Sequence, residues 1–101
     1  MNVETLEKNG EARVVLRGRF DYSFRHGFKE ACDTALASHP NGDIVIDLGG
    51  VDYIDSAALG MLLLLRDRAG ALKRHVILQG PKGVVREVLM VAKFEKFFAI
   101  R

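Results

Sequence analysis

The most informative residues of the chain are Val51-Asp52-Tyr53-Ile54-Asp55-Ser56-Ala57-Ala58-Leu59-Gly60. They follow a run rich in β-branched residues, 43–48, that leads into Gly49-Gly50, and they precede an apolar run, 59–65. Asp and Ser favour helix N-termini, because their side-chain oxygens accept hydrogen bonds from otherwise free backbone N–H groups. The pattern therefore predicts a strand, a short connection and a helix that begins at Asp55-Ser56.

Ser56 has two alternative roles at this predicted helix start. Backbone N–H groups and the helix dipole favour negative charge there, so the Ser56 hydroxyl is a candidate phosphate acceptor. In the other interpretation, Asp55 or Ser56 only caps the helix, as most such pairs do. The residue types alone leave both interpretations open.

The flanking segments predict an α/β fold. The pair Asn9-Gly10 between two extended runs is typical of a β-hairpin, because both central residues of its turn need positive φ. Alternating strand-like and helix-like segments follow, with Ser23 as a candidate N-cap of the first helix and His39-Pro40 at its end. The predicted strands are 3–7, 12–17, 43–48, 75–79 and a last strand or docked tail at 97–100, and the predicted helices are 24–38, 56 to 69 or 70, and 82–92. We expect one α/β domain over residues 1–101, a mixed four- to five-stranded sheet backed by about three helices.

The composition favours a cytoplasmic protein that binds no nucleic acid directly. Fifteen basic and thirteen acidic residues give a net charge of +2, too balanced for a nucleic-acid-binding surface. The single cysteine, Cys32, excludes an internal disulfide and fits a reducing compartment. The N-terminus lacks a signal-peptide pattern, and the longest apolar stretch, 57–65, is far shorter than the ~20 residues of a membrane span.

The second predicted helix is apolar around its whole circumference. A helix that lies on a sheet needs only one apolar stripe, so some of its leucines are either exposed or covered by the third helix and the C-terminal phenylalanines. One stripe begins beside Ser56 and contains Ala57, Met61, Leu64 and Arg68. An apolar surface next to a phosphorylatable serine is what a regulated docking surface would need.

No pattern in the chain indicates catalysis or metal binding. Ser56 lacks the Gly-x-Ser-x-Gly context of a hydrolase, and no Gly-x-x-x-x-Gly-Lys loop is present. The histidines are isolated and show no ligand spacing with Cys32. We therefore expect neither an enzyme nor a cofactor nor a metal site. Asp21, Asp52 and Asp55 would form an acidic rim around Ser56 if the second and third strands end side by side; otherwise they serve turns and caps.

The segment Asp55-Ser56-Ala57-Ala58-Leu59-Gly60 resembles the Asp-Ser-Ser-Gly-Leu-Gly signature of the STAS domains, the anti-sigma factor antagonists of bacteria. Gly18-Arg19-Phe20-Asp21 resembles the Gly-x-Leu-Asp that follows the second strand of the family. The resemblance covers nearly the whole chain, since further matches fall at 44–48, 51–54, Pro81, Val85, Arg86, Leu89 and 97–100. Ala57 and Ala58 replace the second hydroxyl and the glycine of the signature, whereas Ser56 keeps the phosphorylation site.

This resemblance implies a partner-switching role. Such an antagonist binds an anti-sigma factor that is also a serine kinase; the kinase uses ATP and magnesium to phosphorylate it, and a metal-dependent serine phosphatase reverses the reaction. The implied phosphorylation site is Ser56, and the expected partner-binding residues are Asp21, Asp55, Ser56, Ala57, Met61, Leu64 and Arg68. We expect a monomer or weak dimer. The alternative is a non-switching STAS scaffold subunit of an ABC lipid-transport complex, in which the same helix packs on an ATPase.

Overall fold

The computed structural model of the protein describes residues 1–38 and 41–101. Its strands are β1 (Asn2–Lys8), β2 (Glu11–Phe20), β3 (Ile44–Ile54), β4 (Val76–Gln79) and β5 (Ala99–Ile100). Its helices are α1 (Arg25–Ser38), α2 (Ser56–Ala71) and α3 (Gly83–Val91), with single 3-10 turns at Tyr22–Phe24 and Phe94–Lys96.

The strands of these described residues form one mixed sheet in the order β1-β2-β3-β4-β5. Strand β1 is antiparallel to β2, and every other neighbouring pair is parallel. The turn between β1 and β2 has positive φ at Asn9 (54°) and Gly10 (81°), as the predicted hairpin requires. The predicted α/β class, with a mixed sheet and three helices, is confirmed.

The hydrophobic core joins the sheet to all three helices. Its sheet side contains Leu16, Ile46 and Leu78, which are fully buried residues of β2, β3 and β4. Phe28 of α1 packs on Phe20 at the end of β2, with ring centroids 5.1 Å apart. Because these apolar faces meet, the end of β2 and the starts of α1 and α2 are held on one side of the molecule.

Two strands extend well beyond their predicted C-terminal ends. Strand β2 runs through Gly18 to Phe20, and β3 continues through Gly49-Gly50 as far as Ile54. The reason is tertiary: β2 and β3 keep pairing over this stretch as far as Phe20 and Ile54, with two register shifts, one of them directly after Gly18. The prediction that these strands end at residues 17 and 48 is wrong, because pairing with a neighbouring strand outweighs the weak strand propensity of the glycines that follow.

The entry into α1 also differs from the prediction. Ser23 does not cap the helix; the Asp21 side chain instead accepts a hydrogen bond from the Ser23 N–H at 3.0 Å and caps the 3-10 turn before α1. The helix therefore begins at Arg25 rather than at residue 24. The predicted break at His39-Pro40 lies outside the described residues.

The C-terminal segment combines the two predicted alternatives, a last strand and a docked tail. Ala99 and Ile100 pair with β4, whereas Phe98 is buried and stacks on Phe94 at a centroid distance of 5.4 Å. The other boundaries, including those of α3, agree with the predicted ones to within two residues, and the start of α2 at Ser56 agrees to the residue.

Candidate functional site

The start of α2 separates the capping residue from the exposed hydroxyl. Asp55 has extended backbone geometry (φ −109°, ψ 177°), and its Oδ1 accepts a hydrogen bond from the Ala58 N–H at 2.8 Å. This is the geometry of an N-cap. Ser56 is the first residue of the helix, and it is exposed. Because Asp55 performs the capping, the Ser56 hydroxyl is left available to solvent.

The carboxyl ends of β2 and β3 bring Asp21 and Asp55 to the same edge of the sheet. Phe20 pairs with Ile54 in the parallel ladder, and the Asp55 N–H donates to the Phe20 carbonyl at 3.3 Å. The N–H of Tyr22 in turn donates to Asp55 Oδ2 at 3.2 Å. Ser56 therefore lies where two parallel strands end, which is the usual place for ligand sites in α/β sheets.

The acidic residues at this edge are not equivalent. The Ser23 hydroxyl donates to Asp21 Oδ1, and this hydrogen bond, helped by the Arg19 guanidinium 3.6 Å away, lowers the pKa of Asp21. Asp21 is thus ionised at neutral pH. Asp52 is exposed and lies within β3, before the C-terminal end of that strand. None of the hydrogen bonds or ion pairs of the described residues joins Asp52 to Asp21 or Asp55.

Two arginine–tyrosine pairs occupy the same edge. The guanidinium carbon of Arg19 lies 3.8 Å from the ring centroid of Tyr53, and that of Arg25 lies 4.0 Å from the ring centroid of Tyr22. Such cation–π contacts hold both partners in place at a surface. Sequence reasoning missed these four residues, because the Arg19–Tyr53 contact depends on the β2–β3 pairing, which local periodicity does not reveal.

Helix α2 divides its apolar residues between the core and the surface. The residues Ala58, Leu62, Leu65 and Ala69 are buried at i, i+4, i+7 and i+11. On the stripe predicted for docking, Ala57 and Met61 are half-buried, whereas Leu64 is 66% exposed and Arg68 is exposed. The surplus apolar surface expected of this helix is therefore present, and it is centred on Leu64.

A groove of roughly 340 Å³ separates this stripe from α1. Its apolar lining comes from both helices and its cationic rim comes from three side chains; the lining residues are Arg25, Phe28, Lys29, Cys32, Met61, Leu64, Leu65 and Arg68. Two of the rim cations, Lys29 and Arg68, form ion pairs with Asp33. The α1 side of this groove was not predicted, since it requires knowing which faces of α1 and α2 meet.

The described residues contain no cluster of three or more His, Cys, Asp or Glu side chains that could hold a metal ion. Burial raises the pKa of the Cys32 thiol to about 12, so the thiol is protonated and a poor nucleophile. Among the described helices, none combines the length and the apolar character needed to cross a bilayer.

A family model described as "Mlab, STAS domain" matches residues 4–100. A STAS-domain containing protein of Pseudomonas aeruginosa (strain UCBPP-PA14) is 39% identical over 90 residues, which are 89% of this chain and 87% of that protein. Both comparisons extend over nearly the whole chain.

Solved structures with the same fold include anti-sigma factor antagonists. One from Mycobacterium paratuberculosis superposes with a TM-score of 0.80 at 22% identity, over 98% of this chain and 83% of that one. SpoIIAA in its unphosphorylated form gives 0.75 at 17% identity, over 99% and 87% of the two chains. The Bacillus SpoIIAA in its phosphorylated form gives 0.72 at 17% identity, over 99% and 91%. At these identities the likeness concerns the fold.

Proposed function

The chain belongs to the STAS domain family, and we propose that it is an anti-sigma factor antagonist whose partner binding is switched by phosphorylation of Ser56. The observation that carries this proposal is that two neighbouring residues at the start of α2 have different roles. Asp55 caps the helix through the Ala58 N–H, and Ser56 is exposed beside an apolar groove. A phosphate on Ser56 would meet free N–H groups of the helix N-terminus without disturbing the cap.

The proposed docking surface extends from the ends of β2 and β3 along α2. It consists of Asp21, Asp55, Ser56, Ala57, Met61, Leu64 and Arg68. Leu64 supplies the largest exposed apolar area of this set, and it borders the groove against α1. A partner that places apolar side chains in the groove and carboxylates near Arg25 and Lys29 would match both the lining and the rim.

Phosphorylation would act at the interface rather than on the fold. A phosphate brings about −1.5 to −2 charges at pH 7 to a position next to Asp55 and close to Asp21. Docking would bury that charge against apolar surface, at a cost of several kcal/mol. Because each ~1.4 kcal/mol is a tenfold change in affinity, we expect binding to weaken about a hundredfold or more. SpoIIAA, with the same fold, is known in phosphorylated and unphosphorylated forms.

The expected partners follow from this role. An anti-sigma factor with serine kinase activity would bind the unphosphorylated chain and phosphorylate it with ATP and magnesium, and a metal-dependent serine phosphatase would restore the hydroxyl. The chain would be the substrate of both reactions and would need no cofactor of its own.

A second candidate is a non-switching STAS scaffold subunit of an ABC lipid-transport complex. The observation that favours it is the exposure of Leu64, which suits a permanent interface with an ATPase as well as a regulated one. In that role, Ser56 would only flank the interface and would stay unmodified.

Phosphosite mapping and copurification distinguish the two candidates. The chain and its Ser56→Ala and Ser56→Asp variants are each expressed in the native host, purified and analysed by mass spectrometry. We expect phosphate on Ser56 only, constitutive partner binding by Ser56→Ala and weak binding by Ser56→Asp. Ser38→Ala, which removes an exposed serine hydroxyl at the far end of α1, is the matched control and should behave like the unaltered chain.

Phosphate at another residue would contradict the switch. Equal partner binding by Ser56→Ala and Ser56→Asp would do the same. An ATPase that copurifies with all variants alike would identify the scaffold role instead.

A further inference from the structure

The two edges of the sheet differ in how they are protected. Strand β5 is only two residues long, and the segment around it is tied to the β4 end by hydrogen bonds between Arg101 and both Leu78 and Gly80. Strand β1 is seven residues long, contains no proline and pairs with β2 in a register without irregularities. Its other side has no neighbouring strand among the described residues. Natural sheets usually blunt such an edge with proline, a bulge, a short strand or charged side chains. Of these devices β1 carries only charged side chains, at Glu4, Glu7 and Lys8.

The side chains of β1 divide between the two faces of the sheet. Val3, Thr5 and Glu7 lie opposite Leu16, Val14 and Ala12 of the core. Directly opposite residues share a face, so Glu4, Leu6 and Lys8 lie on the face that points away from the core. Leu6 is 41% exposed, between a carboxylate and an ammonium group.

We propose that β1 pairs antiparallel with β1 of a second copy of this chain, with Leu6 at the two-fold axis. In this register each Leu6 faces its symmetry mate, and Glu4 of each copy lies opposite Lys8 of the other. The pairing thus places two Glu4–Lys8 pairs around an apolar contact, all on one face, and each Glu4 carboxylate also lies 3.6 Å from the Arg17 guanidinium of its own chain. A register centred on Thr5 would place Glu4 opposite Leu6 and Glu7 opposite Val3, with no ion pair. Charge complementarity therefore favours a second copy of β1 as the partner strand, and it favours the register centred on Leu6.

The contact would give a weak, reversible dimer. A seven-residue strand is about 23 Å long at roughly 3.3 Å per residue, and one strand pair buries less than the ~1,600 Å² of a standard stable interface. We expect a dissociation constant for this dimer on the order of 100 µM. Strand β2 lies between β1 and β3, so both Ser56 sites of the dimer remain free. The proposal is independent of the function proposed above.

Sedimentation equilibrium on charge-swapped variants tests the pairing. Lys8→Glu and Glu4→Lys each place like charges opposite one another, and each should weaken dimerisation about tenfold or more. The double variant Glu4→Lys/Lys8→Glu restores opposite charges and should dimerise within about threefold of the unaltered chain. Ser56→Asp should dimerise like the unaltered chain. Circular dichroism checks that each variant is folded.

Oxidative cross-linking provides a second test of the register. Leu6→Cys should form a disulfide-linked dimer, since its two copies face each other across the axis. Glu4→Cys, on the same face, should not, because its two copies would be four residues apart. A chain that stays monomeric up to about 1 mM, a double variant as weak as the single ones, or equal cross-linking at positions 4 and 6 would each overturn the proposal.

Discussion

The backbone N–H of Tyr22 donates a hydrogen bond to the carboxylate of Asp55 at 3.2 Å, across 33 residues of sequence. The other oxygen of this carboxylate accepts from the Ala58 N–H at 2.8 Å. One side chain therefore begins α2 and also attaches that beginning to the turn after β2. This arrangement brings Ser56 close to Asp21, and it makes Asp55 a structural residue as well as a member of the proposed interface.

Replacement of Asp55 by alanine should destabilise the protein. It removes the acceptor of two backbone N–H groups, and we expect the free energy of unfolding to fall by about 2 kcal/mol. Asp55→Asn, which keeps one carbonyl oxygen, should cost less. Urea denaturation followed by circular dichroism measures both changes. Asp67→Ala alters an exposed aspartate of the same helix and should change the free energy of unfolding by less than about 0.5 kcal/mol. An equally small effect of Asp55→Ala would refute the double role.

A glutamate at Leu64 or Met61 should weaken partner binding while the domain stays folded. The side chain of Leu64 is mostly exposed, and Arg25, Lys29 and Arg68 line the same groove and can stabilise a new carboxylate. We expect a loss of affinity of at least about tenfold, as for charge placed in an apolar contact.

Binding to the copurified partner, measured by calorimetry, tests this prediction. Val91→Glu is the matched control, because Val91 is an apolar residue of α3 with 83% exposure and lies outside the groove. Unfolding of both Leu64→Glu and Met61→Glu would show that the stripe belongs to the core. Equal binding losses at Leu64 and Val91 would show that the effect is not specific to the groove.

The pKa of Asp21 should depend on the hydroxyl of Ser23. The Ser23 hydrogen bond is the main cause of the lowered pKa, with Arg19 as a smaller contributor. Because the pKa of Asp21 is lower in the folded state, the ionised carboxylate stabilises the fold at pH values above 3.8, the ordinary pKa of this group. This contribution is lost as the pH falls through the lower, folded-state pKa.

Ser23→Ala should therefore raise the pKa of Asp21 and reduce the stability difference between about pH 6 and about pH 3. An NMR titration of the Asp21 carboxyl carbon in both proteins measures the shift directly. The same Asp21 pKa with and without the Ser23 hydroxyl would contradict the assignment.

Cys32 should resist alkylation in the folded protein. Burial raises the pKa of this thiol to about 12, so almost no thiolate is present at pH 8. We expect slow modification by iodoacetamide under native conditions and fast modification in denaturant, both followed by mass spectrometry. An exposed cysteine on the same helix, made as Cys32→Ala/Ala37→Cys, provides the reference rate. Modification of native Cys32 at that reference rate would show that the groove opens to solvent at its floor.

Several features of this protein follow from short runs of sequence. The Asn9-Gly10 hairpin, the alternation of strands and helices, and the start of α2 at Asp55-Ser56 each depend on contiguous residues. Their physical basis is local, because turn conformation, capping hydrogen bonds and hydrophobic periodicity act over about one to four turns of chain. These features were therefore predictable before the fold was known.

Tertiary structure alone decided that the Asp55 carboxylate caps α2 and that the neighbouring Ser56 hydroxyl is exposed. It also decided that β3 continues beyond Gly49-Gly50, and that Leu64 rather than Leu62 or Leu65 faces solvent. A helix that is apolar on all sides carries no local signal for its buried face. That face is selected only when α2 packs against the sheet and against α1, because burial is a property of the pair of surfaces in contact and not of either sequence alone.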